Sequence, residues 1–372
     1  MKRKNIAYIA IGIIACLIIV ISLQVTSTGK VTLEISEPIK IGVILPLTGP
    51  VAFYGESFKS GIDMAVEEIN QDGGINGKPI KVIYENSEFD TGKSVRAFHK
   101  LVDVDGVDTI FTQFTTITLA LAPLIEDKEI VSFSATVYPV GNLSRYMFRD
   151  YWDMGAQAEA LTFALHNEHV KKIGLLSLNT PECTGPFVEK LAKDSNIETI
   201  ELYQYGDTDM RSQLLKLKDV DGLVHCGFPV DALEIIQEIK ELNMDFRLFG
   251  VHFNEEPVPS LAKKELRELE PINIAVNIDD SISESKEFLD RYQSLYGKTP
   301  RVDAAYAYDD VMLFANAIEE CGDTDSQCIS SVLLSTNNYK GVIGTLNFDE
   351  HGNSIRDTSL VQYRDNGWEA YS

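Results

Sequence analysis

Residues 39–70, IKIGVILPLTGPVAFYGESFKSGIDMAVEEIN, constrain the fold more than any other stretch of the chain. Ile41, Val43, Ile44 and Leu45 form an apolar run of strand length, after which Pro46, Gly49, Pro50 and Gly55 break the backbone repeatedly. Helical spacing then begins. Phe58, Ile62, Ala65, Val66 and Ile69 fall on one face, suited to packing on a sheet, and Asp72-Gly73-Gly74 stops the helix. A loop between the carboxyl end of a parallel strand and a helix amino terminus is where open α/β sheets bind ligands, because free N–H groups and the helix dipole point there. This loop offers Thr48 and Tyr54 as side chains.

Strand-like and helix-like segments alternate from there onward, which predicts βα units and a largely parallel sheet. Strands are expected at 79–85, 109–112, 130–134, 172–177, 199–205, 222–226, 246–251 and 272–276. The best-marked helices are 94–102, 156–165, 186–193, 231–242, 285–295 and 304–320. So many units exceed one ordinary sheet. The aromatic-rich break Phe148-Arg149-Asp150-Tyr151-Trp152 divides them into two comparable series, hence two doubly wound Rossmann-like lobes.

With 372 residues, 44% hydrophobic and 24% charged, the chain has the composition of a globular protein with room for two cores. A formal net charge of −23 argues against a nucleic-acid partner, since phosphate binding rests on clustered Lys and Arg. The one basic cluster is in Met1-Lys2-Arg3-Lys4, ahead of eighteen uncharged, mostly aliphatic residues at 6–23. That length approaches a membrane span, and the basic flank would stay cytoplasmic, placing the rest outside. A cleaved signal has a shorter apolar region, so a retained anchor within residues 1–29 is the favoured reading, with 30–38 as linker. Ile13-Ile14-Ala15-Cys16 also resembles a lipoprotein cleavage box, but aliphatic residues rather than a polar tether follow Cys16.

Four blocks carry a family resemblance. GVILPLTGPVAFYGESFKSGIDMAVEEINQDGGINGKPI resembles the amino-terminal signature of type 1 periplasmic binding proteins, specifically the branched-chain amino-acid (leucine/isoleucine/valine) binding family of ABC transporters. QFTTITLALAPLIEDKEIVSFSAT resembles that family's hydroxyl-rich pocket segment and the strand after it. DAAYAYDDVMLFANAIEECG resembles its late helix, and GVIGTLNFDEHGN its carboxyl-terminal hairpin. The resemblance implies two α/β lobes joined by three crossovers, a small-molecule ligand (an amino acid or analogue) closed between them, and delivery to an ABC permease. Lobe 1 is expected at 39–151 plus 279–338 and lobe 2 at 152–278 plus 339–372, the hairpin included in lobe 2.

Carried over position by position, the resemblance implies a ligand site. Tyr54 would supply an aromatic wall, and Thr115, opening a helix, would offer hydroxyl and backbone N–H to a carboxylate. Ser134, Ala135 and Thr136 would add backbone and hydroxyl groups, and Phe228 a ring from the second lobe. Two places depart from the family. Where it has tyrosine followed by glycine, this chain has the loop 179–185 with Glu182; where its amino-acid binders carry a glutamate for the ligand ammonium, this chain has His252, with Glu255 and Glu256 close behind. A buried ammonium needs an acidic partner, so either Glu182 or a nearby acid takes that role or the ligand is not an α-amino acid.

Cys321 and Cys328 bracket a polar loop, and a disulfide there suits an oxidising exterior. Cys183, Cys226, His225 and His252 all fall at strand ends, which leaves open buried thiols, a second disulfide or a metal pocket. Their spacing matches no compact zinc motif, so no metal site and no cofactor is assigned. G-x-S-x-G, H-E-x-x-H, phosphate-loop and G-x-G-x-x-G patterns are missing, so no catalytic residue is assigned and a binding protein is favoured over an enzyme. A ligand-sensing receptor ectodomain is the alternative. No second apolar span or signalling domain follows, which favours transport.

Overall fold

The computed structural model describes residues 37–372 except 141, 256, 276, 277, 279, 280, 357 and 366. Strands β1 (Ile39–Leu45), β2 (Ile80–Asn86), β3 (Thr109–Gln113), β4 (Ser132–Ala135) and β5 (Met147–Phe148) form one parallel sheet in the order β2-β1-β3-β4-β5. A second sheet repeats that order with β6 (Ile173–Leu178), β7 (Ile197–Tyr203), β8 (Gly222–Cys226), β9 (Arg247–Gly250) and β10 (Ile272–Ile274), arranged β7-β6-β8-β9-β10. The strands expected from periodicity are present within a few residues of their predicted bounds. Short apolar runs such as Ile173–Leu178, buried at every position, belong where both faces of a sheet are covered. In each sheet the winding direction reverses beside the first strand, at β1/β3 and β6/β8, and that reversal opens a crevice at the strand carboxyl ends.

Three other strands, β11 (Tyr339–Gly341), β12 (Gly344–Phe348) and β13 (Ser354–Ile355), form a small antiparallel sheet. Finally β14 (Leu360–Arg364) and β15 (Gly367–Ala370) extend the second sheet antiparallel to β10.

The helices that pack on these sheets and frame the strand ends include α1 (Ala52–Gln71), α2 (Thr115–Lys128), α3 (Met154–Asn167), α4 (Pro181–Thr184), α5 (Pro229–Glu241), α6 (Val302–Cys321) and α7 (Ser326–Leu334). The face predicted for α1 is the buried one, with Phe58, Ile62 and Ala65 at zero exposure. On its other side α1 lies so close to α6 that a Cβ at Gly61 would stand 2.0 Å from the carbonyl oxygen of Ala304. Only glycine fits there.

Two main cores result. Ile41, Phe58, Phe111, Phe133 and Phe314 belong to one, and Leu175, Val224, Ile235, Phe249 and Tyr363 to the other. The chain passes between them after β5, after β10 and after β13. Arg356 on the last passage binds Asp150 on the first through Nε (2.8 Å) and Nη2 (2.7 Å), a buried two-pronged ion pair.

The hairpin corrects the expectation that placed it in lobe 2. Leu346 and Phe348 pack into the first core, and Phe348 meets Phe148 edge-on with centroids 5.4 Å apart. Asp309 on α6 holds the turn by accepting from Val342 N–H (2.9 Å) and Ile343 N–H (3.3 Å). Only from β14 onward does the chain rejoin the second sheet. Residues 6–23 and their membrane reading lie outside the described residues, as do Glu256 and Val276. Among the described residues no helix is long and apolar enough to cross a membrane.

Candidate functional site

The carboxyl ends of β3, β4, β6, β8 and β9 converge with α1 on a cleft of about 550 Å³, open mouth included. From the first half, the β3 end contributes Gln113, Phe114 and Thr115, and the β4 end Ala135 and Thr136. Thr115 is the first residue of α2, and the residue before it, Phe114, has φ +75° and no side-chain acceptor for the helix cap. The first turn of α2 therefore opens at the cleft with its N–H groups uncapped by a side chain. Thr115 and Thr136 share a hydrogen bond between their hydroxyls at 2.9 Å, so each is fixed by the other. Thr116 and Thr118 do not line the cleft, and Thr118 is buried.

The second half supplies an acid. Glu182 sits in the one-turn helix α4 after β6, and one of its oxygens, Oε2, is buried with no hydrogen-bond partner. Burial pushes its carboxyl up from the usual range, outweighing the opposing pull of its own backbone N–H and the nearby hydroxyls, Thr115 included. Tyr54 Oη and Gln113 Oε1, also facing the cleft, are buried without partners. Between these polar groups the walls are apolar: Tyr54, Phe114, Phe228, Trp152, Met154 and Leu178.

Rings from both halves meet at this cleft. Phe228 lies 6.0 Å from Tyr54 and 6.3 Å from Phe114 between centroids, while Phe89 reaches Tyr205 at 5.5 Å. Beneath Phe228, the Asp231 carboxylate accepts from Phe228 N–H at 2.9 Å and from Tyr203 Oη at 3.1 Å. Tyr203 also bonds His225 at 2.9 Å. Burial drives His225 down to about 3, so it stays neutral and buried under the floor rather than in the cleft.

An ion-pair chain joins the halves beside the cleft. His252, after β9, binds Glu255, whose other oxygen binds Arg301 ahead of α6. Arg301 Nε reaches Asp303 at 3.2 Å, and Asp303 in turn accepts from Tyr151 Oη at 2.7 Å. The Arg301 guanidinium also lies over the rings of Phe53 and Tyr54, at 5.0 and 4.8 Å. Burial alone would raise Glu255, but His252 and Arg301 hold it down at about 2.

Comparison with known proteins decides the family. The model for "Periplasmic binding protein" matches residues 38–368. The chain belongs to the periplasmic binding protein family. It is similar to the leucine-, isoleucine-, valine-, threonine- and alanine-binding protein of Pseudomonas aeruginosa, with 25% identity over 85% of this chain and 87% of that one. Among solved structures it resembles the branched-chain amino acid transporter substrate-binding protein LivJ of Streptococcus pneumoniae in complex with isoleucine. That match has a TM-score of 0.81 and 25% identity, and covers 90% of this chain and 98% of the other. A solute-binding protein of an R. palustris ABC transporter, in complex with benzoate, shares the fold with a TM-score of 0.79 at 17% identity, over 90% and 95% of the chains.

In this periplasmic binding protein, Tyr54, Thr115, Ala135, Thr136, Glu182, Phe228 and His252 surround one cleft. Ser134 is the exception and corrects its expected place. With a period of two along β4, its side chain falls on the side of Ser132, whose hydroxyl is 3.3 Å away. His252 borders the cleft but is engaged with Glu255. Cys321 and Cys328 form a disulfide, and so do Cys183 and Cys226. The second bond removes both thiols from the metal reading. No cluster of three or more His, Cys, Asp or Glu among the described residues is placed to hold a metal. Reasoning from sequence missed Gln113, Trp152, Met154 and Gly227. Trp152 closes the aromatic break that marks the boundary between the two series and Met154 follows two residues later, which is their one signal in the sequence.

Proposed function

We propose that this periplasmic binding protein captures a small α-amino acid with an apolar side chain, a branched-chain amino acid first, and passes it to the membrane permease of an ABC transporter. One arrangement carries the reading. The uncapped start of α2 with the Thr115 and Thr136 hydroxyls suits a carboxylate, the free Oε2 of Glu182 from the second half suits an ammonium, and the apolar walls suit an aliphatic side chain. The relatives' amino-acid ligands agree with it. Glu182 thereby takes the acidic role, and His252 serves the ion-pair chain instead.

The protein binds and releases its ligand unchanged, without an enzymatic step. One lobe comprises the first sheet with the segment from α6 to β13, the other the second sheet with β14 and β15; closing them buries the ligand and strengthens its hydrogen bonds. Residues 6–23 hold the protein at the outer face of the membrane. A second reading has one observation behind it: burial raises Glu182, and a protonated Glu182 would donate a hydrogen bond to an amide or a second carboxylate rather than accept an amine.

A thermal-shift screen of the fragment from about residue 31 separates the two, because a ligand that prefers the folded clamp raises its melting temperature. Leucine, isoleucine or valine should stabilise it, and the effect should vanish in Thr115→Ala. Stabilisation by acids or amides alone would replace the first reading with the second.

A further inference from the structure

Glu182 stands on a very short support. The turn α4 is four residues long, and its own bonds are local: Thr184 N–H and Oγ1 to Thr180 O (3.0 and 2.7 Å) and Gly185 N–H to Pro181 O (2.9 Å). A single helical turn has almost no stability of its own in water. Two described bonds tie it to the rest of the second half. One is a hydrogen bond from Ser177 Oγ to Cys183 O at 2.9 Å; the other is the disulfide from Cys183, the residue after Glu182, to Cys226.

The far end of that disulfide is rigid. Cys226 closes β8, an interior strand paired with β6 and β9, and has zero exposure. Gly227 follows it, where a Cβ would lie 1.8 Å from Tyr203 Oη, and then Phe228, whose N–H is held by Asp231. The bond therefore joins the turn that carries Glu182, with its free Oε2, to the strand end that carries the cleft's Phe228. Both sulfurs are shielded, since Cys183 is 3% exposed.

We infer that the Cys183–Cys226 disulfide is a specificity-determining link, which positions Glu182 against the ligand's amine so that selection of amino acids over their amine-free analogues depends on it. This rests on Glu182 being the amine's partner under the proposed function. A bond that merely stabilised the fold would affect all ligands alike. A bond that positions Glu182 acts chiefly on the amine, because the Thr115 and Thr136 hydroxyls hold each other and Phe228 is anchored by Asp231 on an interior strand, none of which needs Cys183.

The test compares calorimetric affinities for leucine and 4-methylpentanoate, which has the leucine skeleton without the amine. Four proteins are measured with disulfides formed: wild type, Glu182→Gln, the pair Cys183→Ser/Cys226→Ser, and the pair Cys183→Ala/Cys226→Val, which refills the apolar site should the serine pair not fold. Wild type should prefer leucine. Both cysteine pairs should lose leucine affinity by roughly 10-fold or more, as Glu182→Gln does, with 4-methylpentanoate unchanged within about twofold. A cysteine pair that keeps the leucine preference, or weakens both ligands equally, while Glu182→Gln loses that preference, overturns the role of the disulfide alone. Wild type without a leucine preference, or Glu182→Gln that keeps one, overturns the reading of Glu182 and this inference with it.

Discussion

The Glu255 ion pairs make a quantitative claim about acid stability. Glu255 is held at about 2 by His252 and Arg301 against an ordinary value of 4.5, in spite of its burial. A carboxylate whose folded-state value is depressed contributes stability that is fully present above its unfolded value and lost as pH falls through the folded one. At about 1.4 kcal/mol per pH unit, the drop from 4.5 to about 2 is worth about 3 kcal/mol, lost between pH 4.5 and 2. Glu255→Gln removes that dependence but keeps the side chain's shape, leaving the Arg301 charge with Asp303 alone. Urea denaturation across pH 2 to 7 should then show two curves. Wild type is steeper below pH 4.5, and the variant is less stable at pH 7 by about 3 kcal/mol but converges on wild type near pH 2. Parallel curves over that interval would refute the electrostatic reasoning, whatever their offset.

Other expectations need simpler experiments. Thr115→Ala leaves the buried Thr136 hydroxyl with only the Tyr138 N–H, at 3.2 Å, and should cost about 1 kcal/mol in denaturation, with ligand affinity lowered in calorimetry. Gly61→Ala forces a methyl group against the Ala304 carbonyl and should destabilise by about 1–3 kcal/mol through overpacking, visible as a lower Tm. Cys321→Ser/Cys328→Ser opens a short loop with a sequence separation of 7 and should lower stability by about 2 kcal/mol without changing ligand affinity. Arg301→Met unties Glu255 from α6, and small-angle scattering of the ligand-free protein should then show a larger radius of gyration.

Most of the fold was legible because it is written in local periodicity. The run at β6 and the apolar face of α1 each announce their element within a dozen residues. The cleft was legible to the extent that it follows the strand ends, which is why Thr115, Thr136 and Phe228 could be named. Ser134 failed because on a regular strand it would share a face with Thr136, but β4 ends at Ala135 and the backbone turns there, Thr136 N–H donating to Ser134 O at 2.8 Å, so Ala135 and Thr136 reach the cleft and Ser134 does not. The chain His252, Glu255, Arg301, Asp303 and Tyr151 was illegible for another reason: Tyr151 and Asp303 lie 152 positions apart, and no local signal pairs them. The hairpin was misplaced because its alternating Leu346 and Phe348 say that one face is buried, not against which core. Cys183 and Cys226 could be read as two strand ends but not as one bond, since sequence does not give connectivity.

The position of β14 bears on how the molecule is made. Its partner β10 is separated from it by residues 275–359, of which α6, α7 and β12 pack into the first core. Until residues 360–364 arrive, β10 presents an unpaired edge, and Tyr363 is missing from the second core. A chain emerging from the ribosome amino terminus first can assemble β1 to β5 early but must leave the later sheet open-sided through the synthesis of some eighty further residues, a span set by that gap. The half that completes last is the one that carries Glu182, so competence to bind arrives only with the closing strands.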